Sequence, residues 1–266
     1  MQYAEHAPAR ELRQYVECYW TLRGVASDRL AHRVLPDGCV DILFDLGEGA
    51  LANVVGPMTT AVITPPAPVG FSMDLVGVRF RPGEAPAFLA VSAREIRDLD
   101  VPLEDASPRW DRDLAPRLRD ASVEARIRLL DRALLSRRRA FAADRRLRTA
   151  LVSLRDGTHV SEVASLTGLG ERHLLRLFEE HVGLGPKAFA RVMRAQALVS
   201  DLDALALGES PRWADLAAAH GFSDQAHLIR EVKALTGVSP SALFRERLQG
   251  KLGMSERSNP PASLAL

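Results

Sequence analysis

The sequence predicts an α+β protein, with a β-rich N-terminal domain followed by an all-α C-terminal domain. Three observations predict it. Short runs rich in valine, isoleucine and aromatics, broken by glycine and proline, fill residues 1–105. From Ser122 onward, apolar residues recur at helical spacing instead. Finally, VSEVASLTGLGERHLLRLFEEHVGLGP (Val160–Pro186) is repeated as WADLAAAHGFSDQAHLIREVKALTGVSP (Trp213–Pro240).

The strand signals come first in the chain. YVECYWTL, HRVLPDGCVDILFDL, NVVGPM, AVIT and LVGVRF read as strands, with turns at Pro36-Asp37-Gly38 and Arg81-Pro82-Gly83. Leu35, Val40, Ile42 and Phe44 include a period-two stretch, which predicts a strand with one buried face. Short helices are expected at Ala85–Leu89 and near Ala93–Leu99. Tyr15, Tyr19 and Trp20 read as core aromatics, with a ligand pocket as the alternative.

Residues 106–140 read as a connection and an amphipathic linker helix. Ser122 is the expected N-cap, and Val123, Ile127, Leu130 and Leu134 form one apolar stripe. That stripe has two candidate partners, its own N-terminal domain or a second copy of the chain. Ile127, Leu130 and Leu134 are therefore dimerisation candidates. Arg137-Arg138-Arg139 follows as a solvated or phosphate-touching run.

Residues 141–250 hold the repeat. A helix over Phe141–Arg155 stops at Asp156-Gly157. Ala164, Gly168 and Leu169 recur 53 positions on as Ala217, Gly221 and Phe222. Leu174, Arg176, Gly183 and Pro186 recur 54 positions on as Leu228, Arg230, Gly237 and Pro240. Each unit is a short apolar helix, a turn around glycine and an amphipathic helix, which is the pattern of a helix-turn-helix. A long helix from Pro186 to Leu205 joins the units, with proline in its first turn. Ser223 is the expected N-cap of the second amphipathic helix and Gly170 of the first. Ser210-Pro211 is expected to start the scaffold helix of the second unit. Residues 251–266 are expected to be a disordered tail.

On a helical wheel, Leu174, Leu177 and Phe178 share one face of the first amphipathic helix, and Leu228, Val232 and Leu235 share one face of the second. The opposite faces carry Arg172, Leu175, Arg176 and Glu179 in the first, and Ala226, Ile229, Arg230 and Lys233 in the second. Branched aliphatics that point away from a core need a partner. Thymine methyls in a major groove supply one, and a neighbouring arginine grips guanine O6 and N7. His227 flanks the same face.

With these motifs in view, residues from about Arg145 to Leu248 resemble the AraC/XylS family of bacterial transcription regulators. GLGERHLLRLFEEHVGLGP and, more specifically, GFSDQAHLIREVKALTGVSP carry the resemblance. It implies a seven-helix domain with two helix-turn-helices. It also implies base contacts from Arg172, Leu175 and Arg176, and from Gln225, Ala226, His227, Ile229 and Arg230. Residues 1–105 resemble an N-terminal domain of some members, where such domains are typically sensors or dimerisers. Val232, Ile229 and Glu179 depart from the family pattern.

Charge and composition bound the rest. The 266-residue chain has a net charge of +1, but residues 1–105 hold 9 Lys/Arg and 15 Asp/Glu. Residues 106–140 hold 10 and 5, and residues 141–250 hold 14 and 13. The expected DNA-binding region is thus not strongly basic, so sequence-independent attraction to phosphate is weak and local contacts must carry affinity. No leader-like start or membrane-spanning run is read, and the cytoplasm is the expected location. Cys18 and Cys39 lack metal spacing, and no metal or cofactor is expected.

His32, Asp37 and Cys39, with Asp41 and Asp45, form the most polar cluster of the N-terminal domain and are candidate effector-site residues. A nucleophilic Cys39 with His32 as base is the enzyme reading. A thiol sensor, its pKa lowered by Arg33, is another. A tight turn followed by a buried thiol is the favoured one. The function expected is a non-enzymatic, sequence-specific DNA-binding transcription regulator controlled through its N-terminal domain. The alternative is a ligand-binding or thiol-reactive protein whose helical bundle is only a scaffold. Operator DNA, a small-molecule effector, RNA polymerase and a second copy of the chain are the expected partners, with no membrane.

Overall fold

In the computed structural model, residues 2–25, 32–47, 51–65, 68–108, 110, 113–139, 144–205 and 208–253 are described. Eight strands build the N-terminal domain: β1 (Gln2–His6), β2 (Val16–Val25), β3 (His32–Val34), β4 (Val40–Asp45), β5 (Leu51–Val55), β6 (Val62–Thr64), β7 (Ser72–Phe80) and β8 (Asp100–Pro102). Six form one antiparallel sheet in the order β1-β2-β7-β4-β5-β8. β3 and β6 pair separately, His32 opposite Thr64. All the strand runs read from the sequence are found, and β1 and β8 are added at the two edges.

β4 departs from the one-faced expectation. Val40, Ile42 and Phe44 enter the main core, while Leu43 packs with Tyr3, Trp20 and Leu75 on the other side of the sheet. A strand in the middle of a sheet covered on both sides has no solvent face to mark with polar residues. Tyr15, Tyr19 and Trp20 are all buried. The expected helix at Ala85–Leu89 is a 3-10 turn over Ala85–Ala87, and 93–99 consists of turns.

Three helices follow: α1 (Leu103–Ala106), α2 (Leu114–Arg119) and α3 (Val123–Arg137). Ser122 caps α3 as expected, accepting from Ala125 N at 3.3 Å. These helices are part of the N-terminal core and do not form a separate linker. Leu114, Leu118, Leu130 and Leu134 sit in one cluster with Val76, Val78 and Phe80 of β7. A buried arginine fastens them. Arg126 donates to Asp74 Oδ1 at 2.6 Å and Oδ2 at 2.7 Å, and to the Leu118 carbonyl at 2.7 Å. Asp131 accepts from the Tyr19 hydroxyl at 2.8 Å. The arginine run is also tied down: Arg137 lies over the Trp110 ring, Arg138 over Tyr15, and Arg139 donates to the Leu89 carbonyl.

The C-terminal domain contains α4 (Arg145–Arg155), α5 (Val160–Thr167), α6 (Glu171–His181), α7 (Pro186–Ala204), α8 (Trp213–Ala219), α9 (Gln225–Thr236) and α10 (Pro240–Gly253). The start of the helix expected from Phe141 lies outside the described residues, as does most of the expected tail. α4 is capped by Asp144, which accepts from Arg146 N at 2.9 Å. α8 starts at Trp213, behind Arg212, so Ser210-Pro211 does not begin it.

α7 serves both units. Phe189, Val192 and Met193 on its first half join the core of α4–α6, while Leu198, Val199 and Leu202 on its second half join that of α8–α10. Gly168 and Gly221 explain the repeated turn. Both have positive φ, 63° and 68°, a conformation that side chains with a Cβ resist.

Candidate DNA-reading surface

α6 and α9 present the surface. Each buries one stripe: Leu174 and Phe178 on α6, and Leu228, Val232 and Leu235 on α9. A helix held this way must turn the residues a half-wheel away outward. Leu175 is 44% exposed and Ile229 38%, the apolar tips predicted for the outer faces. Arg172, Arg176, Gln225, Ala226, Arg230 and Lys233 are exposed around them. Among the described residues, Arg172, Arg176, Arg230 and Lys233 make no hydrogen bond or ion pair, so their cationic heads are available to a ligand.

Some other cations of the domain are held inside the protein. Arg148, Arg191 and Arg247 pair with Glu84, Glu231 and Asp203. Leu175 also rests against Gly185 at the start of α7; a Cβ added there would stand 3.2 Å from its Cδ1.

The N-termini of the two helices differ. Gly170 caps α6 without a side chain. Asp224, not Ser223, caps α9: its Oδ1 accepts from His227 N at 2.6 Å. That backbone hydrogen bond holds the Asp224 carboxyl below its ordinary range. Ser223 sits one residue early and its hydroxyl lies 3.2 Å from His227 Nδ1. His227 is half-buried and stands edge-on to Phe222 at 5.6 Å. It is more engaged inside the protein than the other reading candidates.

The dimerisation candidates are corrected. Leu130 and Leu134 are fully buried in the N-terminal core, and Ile127 packs against the same cluster. The stripe covers its own sheet, so these residues offer no seam to a second copy.

The candidate effector residues meet only in part. Asp37 Oδ1 accepts from Cys39 N at 2.9 Å, closing the expected tight turn. Arg79, which the sequence reading passed over, stands 3.5 Å from Asp37 and 3.4 Å from Asp41. Asp41 is 2% exposed. Burial pushes its carboxyl up, and Arg79 pulls it part of the way back. Cys39 is buried, and burial raises its thiol well above the ordinary range, the opposite of an activated nucleophile. Arg33, the expected activator, points to Thr236 and Glu246 instead. The favoured reading of Cys39, a tight turn followed by a buried thiol, fits this geometry, and the thiol-sensor reading through Arg33 does not. The His32 side chain lies outside the described residues. Among the described residues no group of side chains could hold a metal ion, and no helix is long and apolar enough to cross a membrane.

Comparison with known proteins bears on both domains. Residues 163–246 match a family described as a helix-turn-helix domain. Residues 4–102 match a domain of unknown function (DUF6597). No curated protein matches the chain. Among solved structures, the 1.65 Å structure of ToxT from Vibrio cholerae is similar over 85% of this chain and 98% of its own, at 9% identity and a TM-score of 0.43. Unsaturated fatty acid bound ToxT from Vibrio cholerae strain SCE256 is similar over 84% and 93%, at 12% identity and a TM-score of 0.38. Two helix-turn-helix units around one shared helix, with the GFSDQAHLIREVKALTGVSP motif in the second, agree with the helix-turn-helix match over residues 163–246.

Proposed function

We propose that the protein is a sequence-specific transcription regulator that reads duplex DNA with α6 and α9. The observation that carries this is the matched pair of outer faces. Each sets an exposed aliphatic tip, Leu175 or Ile229, beside an arginine that makes no hydrogen bond or ion pair among the described residues, Arg176 or Arg230. The aliphatic meets thymine methyls and the arginine binds guanine O6 and N7. Arg172, Gln225, Ala226, His227 and Lys233 complete the contacts.

α7 has 19 residues, about 29 Å of helix, close to the ~34 Å of one DNA turn. Two reading helices joined in this way suit successive major grooves on one side of the duplex. Selection from a pool of randomised duplexes should enrich a motif of two halves centred about one turn, ~10 base pairs, apart. Recovery of no motif would contradict the reading.

The N-terminal domain is the receiving part in this proposal. A small molecule is the signal, with Asp37 and its partner Arg79 as the candidate polar contacts. RNA polymerase and a second copy of the chain are further partners. A dimer would have to use a surface other than Ile127, Leu130 and Leu134. Sedimentation of the DNA-bound chain as a monomer would remove the dimer from this account.

A further inference from the structure

The second helix-turn-helix is not completed by its own sequence. Leu35, just after β3, is 3% exposed and lies in the core of α8–α10, with Leu198, Phe222, Leu228 and Leu243 among its cluster. Ala61, just before β6, packs against the same cluster. Among the described residues, the buried hydrophobic cluster of the first unit includes no side chain from the N-terminal domain, which meets it through glycine backbone at Gly38, beside Phe189, and Gly83, beside Leu151.

The end of α9 is also finished from outside. The last turn of a helix exposes unpaired carbonyls and the negative end of its dipole, which donors and cations stabilise. Arg33 Nη1 donates to the Thr236 carbonyl at 2.6 Å, and Ala61 N donates to the Leu235 carbonyl at 2.7 Å. The same arginine donates through Nε and Nη2 to Glu246 of α10, at 2.9 and 3.2 Å. One side chain, 13% exposed, thus ties β3 to two helices of the second unit. The strap continues past Leu35. The Pro36 carbonyl accepts from Gln196 of α7 at 2.5 Å, and Asp37 then pairs with Arg79 in the sheet. Among the described residues, the end of α6 receives one comparable bond from the N-terminal domain, Ala93 N to the Glu180 carbonyl at 3.0 Å.

We propose that Arg33 and Leu35 are positioning residues for DNA reading by the second unit. They fix the tilt of α9 against α7 and α10, so the base preference of Gln225–Lys233 depends on a strand lying 203 positions upstream of the carbonyl it grips. They touch no DNA themselves. The first unit, whose core is complete without them, keeps its preference when they are changed. This rests on the reading that α6 and α9 bind DNA.

The test uses the full chain and a duplex selected from a randomised pool by the wild-type protein. Each half of that duplex is scrambled in turn, and Arg230→Ala identifies the half read by the second unit. Arg33→Gln and Leu35→Ala should reduce discrimination in that half by about tenfold, the scale of one base contact. They should leave the other half within about twofold, because additivity holds for distant independent sites. Arg33→Lys keeps the charge but not the forked grip, and should recover part of the loss. Arg33 is only partly buried and Gln keeps its length and a hydrogen-bond donor, so Arg33→Gln remains informative even if Leu35→Ala unfolds the second unit. Equal loss in both halves, or no loss in either, overturns the proposal. If the wild-type chain selects no motif at all, the DNA reading itself has failed and this proposal goes with it.

Discussion

Leu175 and Ile229 stand 54 residues apart in the chain and occupy the same place on the outer faces of α6 and α9, both partly exposed beside an unpaired arginine. A helical scaffold alone has no use for this match, since burying either side chain would be cheaper than leaving it in water. The match makes sense as two copies of one contact.

If those tips meet thymine methyls, removing the methyls should weaken binding. Replacing the contacted thymines by uracil should cost about 0.8 kcal/mol per methyl, the value of one buried carbon. The same duplex should bind Leu175→Ala and Ile229→Ala with little further loss from uracil in the matching half. Titration by fluorescence anisotropy measures both, and a uracil penalty unchanged in the variants contradicts the contact.

Arg126 predicts a stability effect remote from DNA. Its guanidinium is 1% exposed and spans Asp74 and the end of α2. Truncation leaves Asp74 without its main partner, although Arg23 stays 3.2 Å away and Asp74 keeps some contact with water. Arg126→Ala should therefore destabilise the N-terminal domain by about 3 kcal/mol, the lower end for a broken buried pair. Urea unfolding followed by tryptophan fluorescence checks it, and a loss below about 1 kcal/mol, typical of a surface pair, contradicts it.

Asp41 predicts a pH dependence with a definite sign. Its carboxyl is raised in the folded protein, chiefly by burial, so the native state holds the proton more tightly than the unfolded chain does. Stability then falls as pH rises from the ordinary carboxylate range upward toward neutrality. Asp41→Asn should flatten that decline. Unfolding midpoints at about pH 4.5 and about pH 7.5 test it, since unfolded Asp titrates near 3.9. A wild-type slope that persists in the variant would assign it to another group.

The repeat was legible because each unit keeps glycine at a positive-φ turn and an apolar stripe at period 3.6, both local properties. Strands β2–β7 were legible from composition. β1 and β8 were not: QYAEH buries only Tyr3 fully, and DVP is three residues with no pattern to carry. A stripe such as Leu130 and Leu134 shows that a face is buried but not against what, which is why the seam between copies was an open reading. Leu35 shows the same limit more sharply. It reads with Val40, Ile42 and Phe44 as strand-core sequence, yet its side chain lies in the core of the other domain, across a turn that only tertiary packing aims. Arg79 escaped notice because VGVRF reads as a strand, and an arginine inside a sheet becomes informative only once Asp37 and Asp41 are seen beside it.

The most direct test of the central claim compares Arg176→Ala and Arg230→Ala on the selected duplex, one base pair at a time. Each should lose ~1–3 kcal/mol of specific binding and relax preference at one base pair, the two lying in opposite halves of the site. If both variants bind as selectively as the wild type, or relax the same base pair, α6 and α9 do not read DNA as matched probes.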